Sequence, residues 1–271
     1  MKTRILSICV LVPIFISCAY LGGYPYLAMI LLICGICAWE FARIYDCTGE
    51  FRIPLILSVV CVEILIIARY FLGVEGSHRV LTFCIIAAMI WGVWACEHEI
   101  PHSAVSFAVL TSDMVYIGWL GGYMISNRMQ EDGFVKLMLI VSMVWTNDSF
   151  AYLVGRKIGK HKISKHVSPK KSWEGAIGGV VFTVLLAILA ERFIPAVSAI
   201  LNMKQIIILS LMVSIVGPLG DLGESMIKRS FGVKDSSHLI PGHGGFFDRF
   251  DAMFFVMPIG YYFFELIIHR L

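Results

Sequence analysis

An all-α, polytopic transmembrane helix bundle of about nine spans, with the N-terminus in the cytoplasm, is the fold class this sequence predicts, and three observations predict it. Of 271 residues, 58% are hydrophobic and 15% are charged, whereas a soluble domain is roughly 45–50% apolar and about 25% charged. The apolar residues fall in long runs instead of amphipathic stripes, each near the roughly 20 residues with which one helix crosses hydrocarbon. Charge placement agrees: 15 of the 22 Lys and Arg residues fall on the face that carries the N-terminus, which the positive-inside rule makes cytoplasmic.

The spans lie near 4–21, 24–42, 53–73, 80–96, 103–125, 134–155, 174–194, 204–221 and 250–268. The first follows Lys2 and Arg4 and is expected to stay uncleaved: the N-terminus faces inward, and Phe15 is a poor residue three places before Cys18 for lipoprotein processing. Spans one to five form a scaffold, 1–130, with Trp and Tyr near their ends as interfacial anchors. All eight cysteines lie between Cys9 and Cys96, mostly within apolar runs where a thiol packs as a small hydrophobe. Cys34-Gly-Ile-Cys37 lacks the second pair of a metal site. Ionisable groups within or beside these spans are Glu40 with Arg43, Glu63 with Arg69, and Asp113, each costly in hydrocarbon. Glu40 and Arg43, three apart near a helix end, are expected to pair locally and snorkel outward.

The second half, 131–271, carries spans six to nine and two long polar loops, 156–173 and 222–249, on the cytoplasmic face. In span eight the apolar run from Ile206 ends at Gly217-Pro218, where a kink or break is expected. Three polar stretches interrupt this half. In Trp145-Thr-Asn-Asp148-Ser-Phe-Ala-Tyr152-Leu-Val-Gly155-Arg156, the Asp148 carboxylate sits about two turns inside a span, so it calls for a cation, a divalent metal or a polar partner such as Asn147. The loop 156–171 holds seven Lys or Arg. Anionic headgroups alone attract such a cluster, but Ser168-Pro-Lys170-Lys171-Ser172-Trp-Glu174-Gly175 adds a helix start, with Ser172 as N-cap and Glu174 in the first turn, where exposed amides hold phosphate. The third stretch, 220–251, alternates acids with bases. Asp221 and Asp251 stand at the edges of spans eight and nine, where carboxylate oxygens suit Mg²⁺. Gly242-His243-Gly244-Gly245 permits close backbone approach and an anion nest. A loop held down by salt bridges is the alternative.

From Ser225 to Asp251, the pattern S-x-I-K-R-x4-K-D-x-S-x2-I-P-x-H-G-G-F-x-D-R-F-D resembles the signature of the phosphatidate cytidylyltransferase family. W-x-x-D-x-x-A-Y-x-x-G-R at 145–156 and S-P-K-K-S-W-E-G at 168–175 are similar to its other landmarks in order and spacing. Ser237 stands where the family more often has glycine, and Ser172 where threonine is usual; neither departure replaces a charged residue. The resemblance implies transfer of CMP from CTP to phosphatidic acid, with CDP-diacylglycerol and pyrophosphate as products. The enzyme then aligns two anions, offsets their repulsion and stabilises the leaving pyrophosphate.

On that reading Asp221, Lys228, Arg229, Asp248 and Asp251 form the catalytic set. Ser168, Lys170, Lys171, Glu174, Lys234, His243, Gly244, Gly245 and Arg249 bind the nucleotide, and Asp148, Asp221 and Asp251, with Asp248 as a further ligand, hold Mg²⁺ and leave room for a second cation. The expected partners are CTP, phosphatidic acid and the lipid bilayer of the cell membrane, with no nucleic acid; the resemblance is compatible with a homodimer. A transporter predicts an inverted repeat with polar groups in both halves, whereas these cluster in one. A CTP-dependent lipid kinase would release CDP instead of pyrophosphate. A phosphotransferase acting on CDP-activated lipid carries D-G-x-x-A-R, which is absent.

Overall fold

The computed structural model describes residues 2–47, 49, 51–242 and 244–267. The order is α1 (Lys2–Leu21), α2 (Gly23–Asp46), α3 (Leu55–Glu97), α4 (Ser103–Asp113), a π-helical turn (Met114–Trp119), α5 (Leu120–Met129), α6 (Gly133–Ile158), α7 (Trp173–Phe193), α8 (Pro195–Ser198), α9 (Met203–Ser230), α10 (Phe247–Tyr262) and a second π-helical turn (Phe263–Ile267). Every named element is a helix. Six helices among the described residues are long and apolar enough to cross a membrane, so the chain is a multi-pass membrane protein. The count of about nine is not reached by that measure, for three reasons. The expected spans 53–73 and 80–96 fall on one 43-residue helix, α3, broken at Gly73 by a positive φ of 69°. The described apolar stretch of α1 is only Cys9–Leu21. And α10 has 16 residues before its π-helical turn.

The chain divides into two compact units, residues 1–126 with 228–250, and residues 127–227 with 251–271. In the first, aromatic rings tie the stretch 231–247 to the N-terminal helices. Phe247 meets the edges of Phe41 and Tyr116 at 5.7 and 5.5 Å, and Phe231 lies 4.5 Å from Tyr45. Glu40 is fully buried among them. The expected local pair with Arg43 gives way to a different arrangement: Glu40 accepts hydrogen bonds from the Phe246 and Phe247 amides and from the Ser236 and Ser237 hydroxyls, while the Arg43 guanidinium lies over the Trp39 ring. The reason is energetic, because amides at a helix start need an acceptor and a buried carboxylate needs donors. Arg69 likewise bonds Ser126 and the Trp119 carbonyl and stacks over Tyr123, and Ser58 donates to Asp113.

In the second unit α6 and α7 approach closely because small residues face each other. A Cβ on Gly175 would lie 2.6 Å from the Ala151 carbonyl, and one on Gly179 would lie 2.6 Å from the Asn147 side-chain oxygen. The opposite face of α7 presents Ile177, Val181, Leu185 and Leu189, all exposed. Small residues inward and branched apolar residues outward is the pattern of a helix whose surroundings are lipid. Asn202 and Gln205 start α9 with reciprocal backbone bonds of 2.9 and 3.0 Å, a capping box. Of the kink or break expected at Gly217-Pro218, a break is excluded: α9 contains Pro218 and runs on to Ser230. Residues 222–230, expected to open the second polar loop, are therefore helical.

Candidate functional site

Two polar centres emerge, one in each unit. In the second unit the site begins with a glycine. A Cβ on Gly220 would meet the Asp251 carbonyl at 2.7 Å and the Ala252 Cα at 3.0 Å, so α9 and α10 touch backbone to backbone here. That approach sets Asp221, one residue later on α9, beside Asp251 on α10. Glu224, one helical turn beyond Asp221, shares its face. Ligand oxygens of Asp221, Glu224 and Asp251 all lie within 4.8 Å of one another, and Glu224 and Asp251 are buried. Asp221 pairs with Lys171 at 2.7 Å and accepts from the Ser225 hydroxyl; Asp251 accepts from the Ala252 amide. Asp148 is exposed and outside this trio, although its charge acts on Asp251.

Lys171 reaches Asp221 because the basic loop is folded back on the start of α7. The Ser172 hydroxyl accepts from the Gly175 amide, as its N-cap position predicts. Glu174 accepts from the Lys160 and His161 amides and meets the His161 ring at 2.5 Å. Ile163 and Trp173 donate to the carbonyls of Lys171 and His161. Glu174 thus holds the loop. The Lys171 ammonium also donates to the Pro218 carbonyl, and Ser168 accepts from the Lys171 amide through its carbonyl. Lys170 is exposed.

In the first unit the loop after α9 borders an open cleft of about 400 Å³ lined by Lys234, Asp235, His238, Ile240, Gly242, Gly244 and Arg249. The turn Ile240–Gly244 closes through the Ile240 amide and the Gly244 carbonyl, with φ of 80° at Gly242 and 83° at Gly244, which glycine adopts without strain. His243 lies outside the described residues. Lys234 and Arg249 are exposed cations on this wall. Lys228 and Arg229 are placed differently. Lys228 is buried and donates to Asp248, while the Arg229 guanidinium donates to the Val233 carbonyl beyond the helix end. Asp248 also accepts from the Ser236 and Gly245 amides. Burial pushes its carboxyl up, but the Lys228 bond, the Gly245 amide, the Lys228 charge and the Ser236 amide outweigh that and hold it below the ordinary carboxylate range.

Two residues of weight were not singled out as functional from the sequence. Glu224 carried a signal, its i+3 spacing from Asp221. Glu40 carried none, because its partners are about 200 positions away in the chain.

The sequence pattern of the Cytidylyltransferase family matches residues 2–267. Curated relatives span nearly the whole chain. A phosphatidate cytidylyltransferase of Haemophilus influenzae is 34% identical over 295 residues, covering 99% of this chain and 100% of that protein. One of Staphylococcus haemolyticus is 32% identical, covering 96% and 97%, and one of Bacillus subtilis is 30% identical, covering 97% of each.

Proposed function

The chain belongs to the cytidylyltransferase family, and on that premise we propose that it transfers CMP from CTP to phosphatidic acid, leaving CDP-diacylglycerol in the bilayer and releasing pyrophosphate. The observation that carries the site is the convergence of Asp221, Glu224 and Asp251. Three carboxylates this close repel one another unless positive charge lies among them, and Lys171 supplies one such charge. Mg²⁺ takes a few carboxylates together with waters and phosphate oxygens, so these are the residues that would hold it, with Asp148 adding negative charge nearby. When bound, the ion offsets charge on the phosphates and the leaving group.

The chemistry asks little else of the protein. A phosphatidate oxygen, already anionic at neutral pH, attacks the α-phosphorus of CTP. The bond from that phosphorus to the oxygen bridging to the β-phosphate breaks, and its electron pair leaves with pyrophosphate. No side chain has to accept a proton. Lys234, Arg249 and the glycine turn at 242–244 hold phosphate oxygens, and Lys171 positions Asp221 while offering its own charge. Lys228 and Asp248 shape the loop. The charge bias of the sequence supports an N-terminus and catalytic loops facing the cytoplasm in the cell membrane.

The test is turnover in detergent with phosphatidate, CTP labelled at the α-phosphate, and Mg²⁺. Label in the lipid phase with matching pyrophosphate, both lost on adding EDTA, is the expected result. CDP without labelled lipid would make the protein a kinase and overturn the proposal, as would neither product from folded protein.

A further inference from the structure

Glu40 belongs to α2, in the half of the sequence that looks like inert scaffold, yet its carboxylate is the hub of the signature loop. It is fully buried, and four donors converge on it: the Phe247 amide at 2.7 Å, the Ser236 hydroxyl at 2.9 Å, the Phe246 amide at 3.1 Å and the Ser237 hydroxyl at 2.5 Å. Phe246 and Phe247 stand at the start of α10, where amides lack helical partners. Ser236 and Ser237 stand on the far side of the turn. One carboxylate therefore ties together both ends of the segment 236–247, which carries His238, Gly242 and Gly244 of the cleft wall and is flanked by Lys234 and Arg249.

Two further observations point the same way. A Cβ on Gly245 would fall on the Glu40 carboxylate and the Ser236 hydroxyl, so the signature glycine is needed to let Glu40 in. Ser236 also donates its backbone amide to Asp248 at 2.9 Å, and Asp248 holds Lys228. A continuous chain of bonds thus runs from Glu40 through Ser236 and Asp248 to Lys228.

We propose that Glu40 is a positioning residue for the anion-binding loop, presetting the spacing of Lys234, His238, Arg249 and the glycine turn, so that the loop meets phosphate without first being ordered. The proposal rests on the reading of that cleft as the place where CTP phosphates bind. Preorganisation acts on binding, so its loss raises KM for CTP more than it lowers kcat.

Two variants separate positioning from bulk stability. E40Q keeps the side-chain length and one acceptor oxygen but replaces the other with a donor facing donors; S236A removes the link from the loop side without touching α2. In detergent-solubilised protein that retains its melting temperature, each is expected to raise KM for CTP about tenfold, to leave KM for phosphatidate near the wild-type value, and to speed tryptic cleavage after Lys234 about tenfold. Cleavage in the basic stretch 156–171 is the internal reference and stays constant. The double variant is expected to cost less than the product of the two, because both cut one chain of bonds. Unchanged Lys234 cleavage and unchanged KM in both variants, or a fall in the active fraction alone, would overturn the proposal. Faster Lys234 cleavage with a wild-type KM for CTP would leave the anchor standing and remove CTP from this cleft, so the two readings fail separately.

Discussion

The two polar centres use the same chemical group in opposite ways. In the first unit the carboxylates of Glu40 and Asp248 face protein donors: two amides and two hydroxyls for Glu40, and an ammonium and two amides for Asp248. In the second unit Asp221, Glu224 and Asp251 face one another. A carboxylate surrounded by protein donors is satisfied without a ligand and serves the fold. Carboxylates turned toward each other favour a bound cation, and that difference separates the loop-holding acids from the proposed metal-holding acids better than burial does, since both sets include buried members.

Substitution should expose the contrast. The largest effect is expected at the acid trio: D221N and D251N should each leave less than about 1% of wild-type kcat, with the melting temperature within a few degrees of wild type, because acids that repel lose little when one is neutralised. Near-normal turnover across a magnesium titration would break the comparison. Next, D248N should show the reverse pattern. It leaves Lys228 buried without its anion, and loss of a buried partner costs about 3–5 kcal/mol of stability, read by thermal denaturation. E224Q should sharpen the assignment of the trio, raising the Mg²⁺ concentration at half-maximal rate by about 10–100-fold; an unchanged requirement would place Glu224 outside it. The smallest effect is expected from S172A, which removes only the α7 cap and should cost about 1 kcal/mol with kcat retained.

Acid should divide the centres as well. Asp248 is held below the ordinary carboxylate range in the folded state, so its stabilisation is complete above the unfolded value near about 3.9 and is lost as pH falls below that through the folded value. The melting temperature of the wild type should therefore drop more steeply than that of D248N as pH falls below about 4. Parallel curves would show that the Lys228–Asp248 pair contributes nothing net.

Much of this was legible in the sequence where the information is local. Ser172 caps α7 as its position next to Trp173-Glu174 implies, and Gly242 and Gly244 adopt the positive φ that a glycine-rich turn suggests. The apolar runs locate helices at 23–46, 133–158 and 173–193 within a few residues. Less local features are not written in the sequence this way. Pro218 suggested a kink or a break; proline disrupts one bond of a ladder while tight packing on Ala252 and Asp251 rewards continuity, so α9 does not break there. Glu40 was read with its neighbour Arg43 because only short-range partners are visible along a chain.

The sequence by itself determined that this is a multi-pass membrane helix protein of the cytidylyltransferase family, since hydropathy, charge bias and a 27-residue signature are written residue by residue. Only the tertiary structure decided which acids meet. Asp221 and Asp251 are thirty positions apart, and they are neighbours because Gly220 lets two helix backbones touch; Glu40 and Phe247 are 207 apart and meet because a buried carboxylate and two helix-start amides satisfy one another. Both pairings depend on distances across the fold, which no linear pattern encodes.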